Sequence, residues 1–222
     1  KGIERLLIER AIAEFERAGV EQITSEALVL GDEKIVRDVF TALGFGSVGR
    51  MVMSLPLSEG LPEPVLPPGY ELVPWDDRYL REITQLIFDA NCGGPDRLIY
   101  PELRTLEGTG RMVQGIRAGA VGPFNDEASP IVLHDGSSCG TILFTRPAPD
   151  QGFVAEMAVT EEHRGKGLGK ALLVKSLAIA QGQGIRTVKL GVTEENLPAV
   201  GLYRKLGFIP EQRLTAYIRG GV

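Results

Sequence analysis

The chain is short of several things at once, and each scarcity excludes something. Its 222 residues include two cysteines, Cys92 and Cys139, far apart in sequence. A disulfide framework is thereby excluded, and free thiols in a reducing cytoplasm are expected. The two histidines, His134 and His163, belong to no constellation at metal-ligand spacing, so no metal site is expected. No apolar run approaches the ~20 residues of a membrane span, and no signal-peptide pattern opens the sequence. Positive charge is not in excess, with 24 Lys and Arg against 29 Asp and Glu. That balance argues against general nucleic-acid binding and leaves any polyanion to be held by a local cradle. The remainder, 43% hydrophobic and 24% charged, is ordinary for a globular protein. Its length suits one large domain or one and a half ordinary ones.

Glycine is plentiful, and its densest run is the most informative: Arg164-Gly165-Lys166-Gly167-Leu168-Gly169-Lys170. Glycines at a helix start let the backbone approach an anion and aim several N–H groups at it. Arg164, Lys166 and Lys170 add positive charge at the same end. The spacing fits neither a Walker A loop nor a dinucleotide fingerprint, since Lys170 stands where the third glycine of the fingerprint belongs. It does fit Arg-x-x-Gly-x-Gly.

The surroundings are regular. Residues 152–159 alternate as a strand, with Val154, Glu156 and Ala158 on one face and Phe153, Ala155, Met157 and Val159 on the other. Leu168, Leu172, Leu173, Leu177 and Ala180 recur at helical spacing until Gly182 and Gly184. A strand follows over 187–192, then Asn196, Ala199, Tyr203, Gly207 and Phe208 in the pattern Asn-x-x-Ala-x-x-x-Tyr-x-x-x-Gly-Phe.

These two motifs, in this order and at this separation, resemble the signatures of the GNAT superfamily of N-acetyltransferases, and the resemblance runs from about Tyr70 to Ile218. It implies an α/β fold with a mixed, splayed central sheet flanked by helices, and acetyl-coenzyme A as co-substrate. Arg164, Gly165, Lys166, Gly167, Leu168, Gly169 and Lys170 would hold the pyrophosphate, and Asn196 would hydrogen-bond the coenzyme, with an N-cap role compatible. The strand would splay at a bulge, so that Met157, Ala158 and Val159 pair with the pantetheine arm. An N–H of Val159 or a near neighbour would face the thioester carbonyl. Tyr203 would protonate the departing thiolate; packing beside Phe208 is its structural alternative. The segment after the first helix would line the acceptor site through Asn91, Asp96 and Arg97, each of which also suits a turn or cap.

The general base has to come from the residues themselves. A lysine-like amine is mostly protonated at neutral pH, and Glu156, a lone carboxylate in an apolar strand, is the candidate to deprotonate it. An ordinary ion pair or an exposed edge position is the competing reading. Cys92, in the acceptor-side loop, offers a covalent route, but without a base nearby in sequence; direct transfer in a ternary complex is preferred.

Elsewhere, residues 70–75 read as a strand and 78–90 as a helix burying Leu80, Ile83, Leu86 and Ile87, with Trp75 as a partly buried anchor. A looser helical region follows over 97–117. Strands over 130–134 and 139–145 join at Asp135-Gly136, a strong hairpin signal.

The N-terminal quarter carries an internal repeat. Lys1 to Ile8 aligns with Lys166 to Leu173, and Leu43-Gly44-Phe45 with Leu206-Gly207-Phe208. Residues 1–55 therefore read as a partial, degenerate copy of the module. Glu4 stands in the place of Gly169 and Phe40 in the place of Tyr203, which suggests a structural role. The copy begins inside its own coenzyme loop, so either a front half precedes it or one has been lost. Residues 56–69, rich in proline, would link it to an intact domain over 70–222. This tandem arrangement is similar to that of mycothiol synthases, which acetylate a small amine.

The expected function is acetyl transfer to a primary amine, small molecule or peptide, without nucleic acid or membrane and with a homodimer left open. A non-catalytic acyl-coenzyme A sensor or scaffold is the alternative. It would keep Gly167 and Gly169 but have no need of Glu156 or Tyr203.

Overall fold

The computed structural model describes residues 3–27, 33–57 and 60–220. Lys1 and Gly2, and with them the start of the repeated loop, lie outside the described residues, as does the side chain of Glu4. The chain runs α1 (Ile3–Arg17), β1 (Gln22–Ala27), α2 (Glu33–Ala42), β2 (Gly46–Pro56) and β3 (Tyr70–Val73). After one 3₁₀ turn come α3 (Leu80–Ala90), α4 (Asp96–Ile99), α5 (Leu106–Arg117), β4 (Ile131–His134) and β5 (Ser137–Ala148). Then follow β6 (Gln151–Val159), α6 (Leu168–Gly182), β7 (Thr187–Thr193), α7 (Leu197–Lys205) and β8 (Ile209–Gly220).

All eight strands form one mixed sheet in the order β1-β8-β2-β7-β6-β5-β4-β3. The β4–β5 hairpin turns at Asp135 and Gly136, both at positive φ (51° and 79°), the type I′ geometry that matches strand twist. The N-terminal quarter does not stand apart. β2 lies between β7 and β8 and is antiparallel to both, while β1 pairs with β8 at the sheet edge. A continuous sheet thus crosses the boundaries expected at 55 and 69. In the proline-rich stretch Leu57, Leu61 and Leu66 pack against the main core, and the Leu57 amide donates to the Arg186 carbonyl.

The two larger of the hydrophobic clusters among the described residues lie on opposite faces of the sheet. On one, α6 and α7 bury Leu168, Leu172, Leu177 and Tyr203 against Met53, Phe144, Val154 and Leu190. On the other, α3 and α5 bury Ile83, Ile87 and Val113 against Ile131, Leu143 and Ala158. Trp75 is buried in this second core, with its indole N–H donating to Asp77.

The assignment of faces on β6 is corrected by the pairing with β5. Leu143 pairs with Glu156 but Phe144 with Val154, so Ala155 is an extra, bulged residue. The bulge reverses the alternation: Val154 packs toward α6 with Met157 and Val159, whereas Ala158 packs toward α3 and α5. Glu156, paired with Leu143, faces the α3 side. Beside it, β6 and β7 pair in parallel only as far as Val154 and Leu190. Beyond that point the strands part, and the gap opens the sheet.

Candidate active site

The gap leads into a cleft of about 1130 Å³ that reaches both faces of the sheet. Glu156 and Tyr203 line it, together with Met157, Ala158, Val159 and Asn196. The glycine loop contributes Arg164, Gly165, Gly167, Leu168 and Gly169, and the opposite side Asn91, Cys92 and Asp96. Three expected residues are placed elsewhere. Lys166 and Lys170 border a neighbouring groove against Glu63–Pro67. Arg97 turns back, donating to the Arg104 carbonyl at 2.8 Å and lying 3.7 Å from Cys92 Sγ.

The loop is shaped by backbone conformation before charge. Gly165 and Gly167 sit at φ 75° and 84°, where a side chain would be strained. Gly167 caps α6, accepting from the Ala171 amide at 3.0 Å. The amides of the first helical turn have no partner within the helix and point outward at its positive end. A Cβ at Gly169 would meet Leu202 at 3.4 Å and Met157 at 4.0 Å, so its absence keeps the path from loop to gap open. Such a cradle fits a pyrophosphate with a narrow arm running from it. Arg164 braces the loop, its Nε on the Val159 carbonyl (3.1 Å) and Nη2 on that of Ala90 (2.9 Å).

Lys166 donates to the Tyr70 hydroxyl at 2.9 Å, which is 2.7 Å from His163 Nδ1. The His134 ring lies 5.0 Å from that of His163, so the two histidines, distant in sequence, meet behind the loop. Burial, then the Lys166 charge, holds His163 below its usual value. Among the described residues no group of three His, Cys, Asp or Glu comes together to hold a metal ion.

Glu156 is half-buried in the gap. Burial, and then the negative charge of Asp96, raise its pKa to about 7, against the Met157 amide, Arg50 and Asn91, which lower it. Tyr203 is buried, 7% exposed. Burial, with the carboxylates of Glu156 and Asp96, pushes its phenol above the ordinary value, so it stays protonated. Asn196 accepts from the Ala199 amide at 3.3 Å as the N-cap of α7 while lining the cleft. Cys139 is buried, its thiol raised to about 11.

Sequence reasoning missed Arg50. From β2 it reaches across to Asp96 Oδ1 (2.7 Å), Thr193 Oγ1 (3.0 Å) and the Tyr100 hydroxyl (2.8 Å). Its signal, the single charged residue of its strand, was present but had no visible partner.

Residues 109–208 match the acetyltransferase (GNAT) family model. N-alpha-acetyltransferase 30 of Schizosaccharomyces pombe is 31% identical over 151 residues, covering 68% of this chain and 91% of that protein. The chain belongs to the GNAT acetyltransferase family. Mycothiol acetyltransferase of Segniliparus rotundus is also 31% identical, over 171 residues that cover 72% of this chain. The matched region spans 59% of that relative's length. Among solved structures, a GCN5-related N-acetyltransferase from Sphaerobacter thermophilus has the same fold, with a TM-score of 0.76 at 20% identity. The likeness covers 99% of this chain and 68% of that one. Acetyl-coenzyme A, the co-substrate this family implies, is compatible with the glycine cradle and the open gap described above.

Proposed function

We propose that this chain transfers an acetyl group from acetyl-coenzyme A to a primary amine by direct attack in a ternary complex. The observation that carries the reading is the gap between β6 and β7, where Glu156 from the α3 side and Tyr203 from α7 line one cleft. The loop of residues 164–170 would hold the pyrophosphate, with Lys166 and Lys170 contributing charge from its rim. Met157, Ala158 and Val159 would pair with the pantetheine arm. Asn196 would contact the coenzyme with the amide it does not use as a cap.

The amine enters from the α3–α4 side, past Asn91 and Asp96. Glu156 takes a proton from the ammonium, and the freed lone pair attacks the thioester carbon. The carbonyl oxygen is met by a backbone N–H of the splayed strand. The C–S bond then breaks, the sulfur leaves as thiolate, and the new amide nitrogen gives its second proton to water in the cleft. Tyr203 donates its hydrogen bond to that sulfur. A phenol above ~10 holds its proton more tightly than a thiol at ~8.5, so hydrogen-bond donation precedes any full transfer.

A small metabolite amine and a peptide N-terminus are both acceptors compatible with this chemistry, as the two relatives named above illustrate. Residues 1–55 are read as a partial second copy of the module. The order helix–strand–helix–strand recurs over 3–56 and 168–220. Exchanging β1 with β7 and β2 with β8 maps the order β1-β8-β2-β7 onto itself.

The deciding experiment is calorimetric titration of acetyl-coenzyme A, followed by thiol release with a panel of amines. Binding with release supports the enzyme. Binding without release for any amine supports the sensor instead.

A further inference from the structure

We propose that Arg50, carried by β2 in the first quarter of the chain, is a positioning residue for the acceptor side of the cleft, holding Asp96 beside Glu156. The chemistry rests on the acetyltransferase reading above; the site rests on geometry.

Met51, Met53 and Leu55 point from β2 into the core under α6 and α7. Arg50 points to the opposite face, where α4 lies. Its side chain is 11% exposed, and one guanidinium ties together three parts of the chain: Asp96 at the start of α4, Thr193 at the end of β7, and Tyr100. The guanidinium carbon also sits 5.2 Å from the centre of the Tyr100 ring. Gly191 on β7 leaves the slot for it, since a Cβ there would be 3.2 Å from Arg50 Nη2. Asp96 Oδ1 receives both Arg50 and the Thr193 hydroxyl, the latter at 2.5 Å. Its second carboxylate oxygen has no hydrogen bond among the described residues, and Asp96 lines the cleft. A cationic acceptor therefore meets a carboxylate whose orientation is set from β2.

The groups that act on Glu156 are Asp96 from α4, Arg50 from β2, Asn91 after α3, Tyr203 from α7 and its own neighbour's amide. Asp96 and Arg50 act on Glu156 in opposite directions. Removing Arg50 takes away the positive charge that opposes Asp96, and Glu156 should then hold its proton to higher pH.

The test needs no turnover. In protein labelled with ¹³C-glutamate, the Glu156 carboxyl resonance, identified by its loss in Glu156→Gln, is followed against pH. The expected midpoint is near 7 in the parent, higher in Arg50→Met, and lowered again in Arg50→Met/Asp96→Asn. Arg50→Lys keeps the charge but not the fork, so its midpoint stays near the parent's while KM for the amine rises about tenfold. Affinity for acetyl-coenzyme A is expected to be unchanged throughout.

An unmoved midpoint in Arg50→Met, or parallel losses of amine and coenzyme affinity, would overturn the proposal. If Arg50→Met does not fold, Asp96→Asn alone decides, a lowered midpoint supporting the coupling and an unmoved one refuting it. Failure of the acetyltransferase reading looks different, as no thiol release by the parent whatever the midpoints do.

Discussion

The Met157 amide donates to the carboxylate of the residue before it, Glu156 Oε1, at 3.2 Å. A backbone N–H inside a regular sheet would be taken by a neighbouring strand. Here β7 has already parted from β6, and the carboxylate is its partner. The same carboxylate is pushed to about 7 by burial and by Asp96. The strand's splay, its bulge and the tuning of its only acid are thus one structural fact.

With Glu156 as base, kcat/KM for the amine should rise through pH 7 as the carboxylate ionises. Glu156→Gln should lower it by about 10²–10⁴ and remove that limb. Stability should move the other way. The folded value lies above the ordinary 4.5, so the native state binds the proton more tightly. The resulting stabilisation is full below 4.5 and is lost as pH rises through about 7. Thermal melts of Glu156→Gln should therefore exceed the parent's at pH 8, with the advantage shrinking toward pH 5. A rate profile flat across pH 6–8 would remove Glu156 from the base role.

Tyr203 should be separable from coenzyme binding. Tyr203→Phe keeps the ring that packs 5.8 Å from Phe208 and deletes only the hydroxyl. Steady-state kinetics should show kcat reduced about 10²-fold or more, with the dissociation constant of acetyl-coenzyme A little changed. Cys92→Ala should retain near-parental turnover, because the attack is direct. If Cys92→Ala were as damaging as Tyr203→Phe, a covalent route through Cys92 would replace direct transfer.

Much of this was legible in the sequence, for a physical reason. The glycine loop, the hairpin at Asp135-Gly136 and the helix from Leu168 are specified by neighbours within a few residues. Their elements lie where residue spacing puts them. The bulge at Ala155 was not legible, because strict alternation and alternation with one extra residue look alike until the partner strand is known. Nor was the role of β2. Its hydrophobic pattern says that it is a buried strand, but says nothing about which strands it enters between. Arg50 acquires meaning only through Asp96, Tyr100 and Thr193, which reach it by long-range pairing.

The cradle can be tested by charge and conformation together. Gly167 caps α6 at φ 84° with open space beside its Cα, so Gly167→Glu fits sterically but strains the backbone and sets a carboxylate at the helix start. Calorimetry should show acetyl-coenzyme A binding abolished. Gly167→Ala, which carries the backbone strain without the charge, should weaken binding to a lesser degree. Equal losses in the two variants would assign the cradle's work to backbone shape alone.

Gly152 should matter for stability rather than catalysis. It lies on β6 before the bulge, and a Cβ there would overlap the Phe144 ring tip. Phe144 is fully buried, at the centre of the core that joins β5, β6 and α6. Overpacking of a buried ring of this kind costs about 1–3 kcal/mol. Gly152→Ala should therefore lower the free energy of unfolding, measured by denaturant titration, by roughly that amount while leaving the pH midpoint of turnover in place. Gly152→Ala combined with Phe144→Leu should recover part of the loss, because the shorter side chain vacates the contested space. No recovery in the double variant would mean that the backbone of β6, and not the ring of Phe144, is what requires glycine at this position.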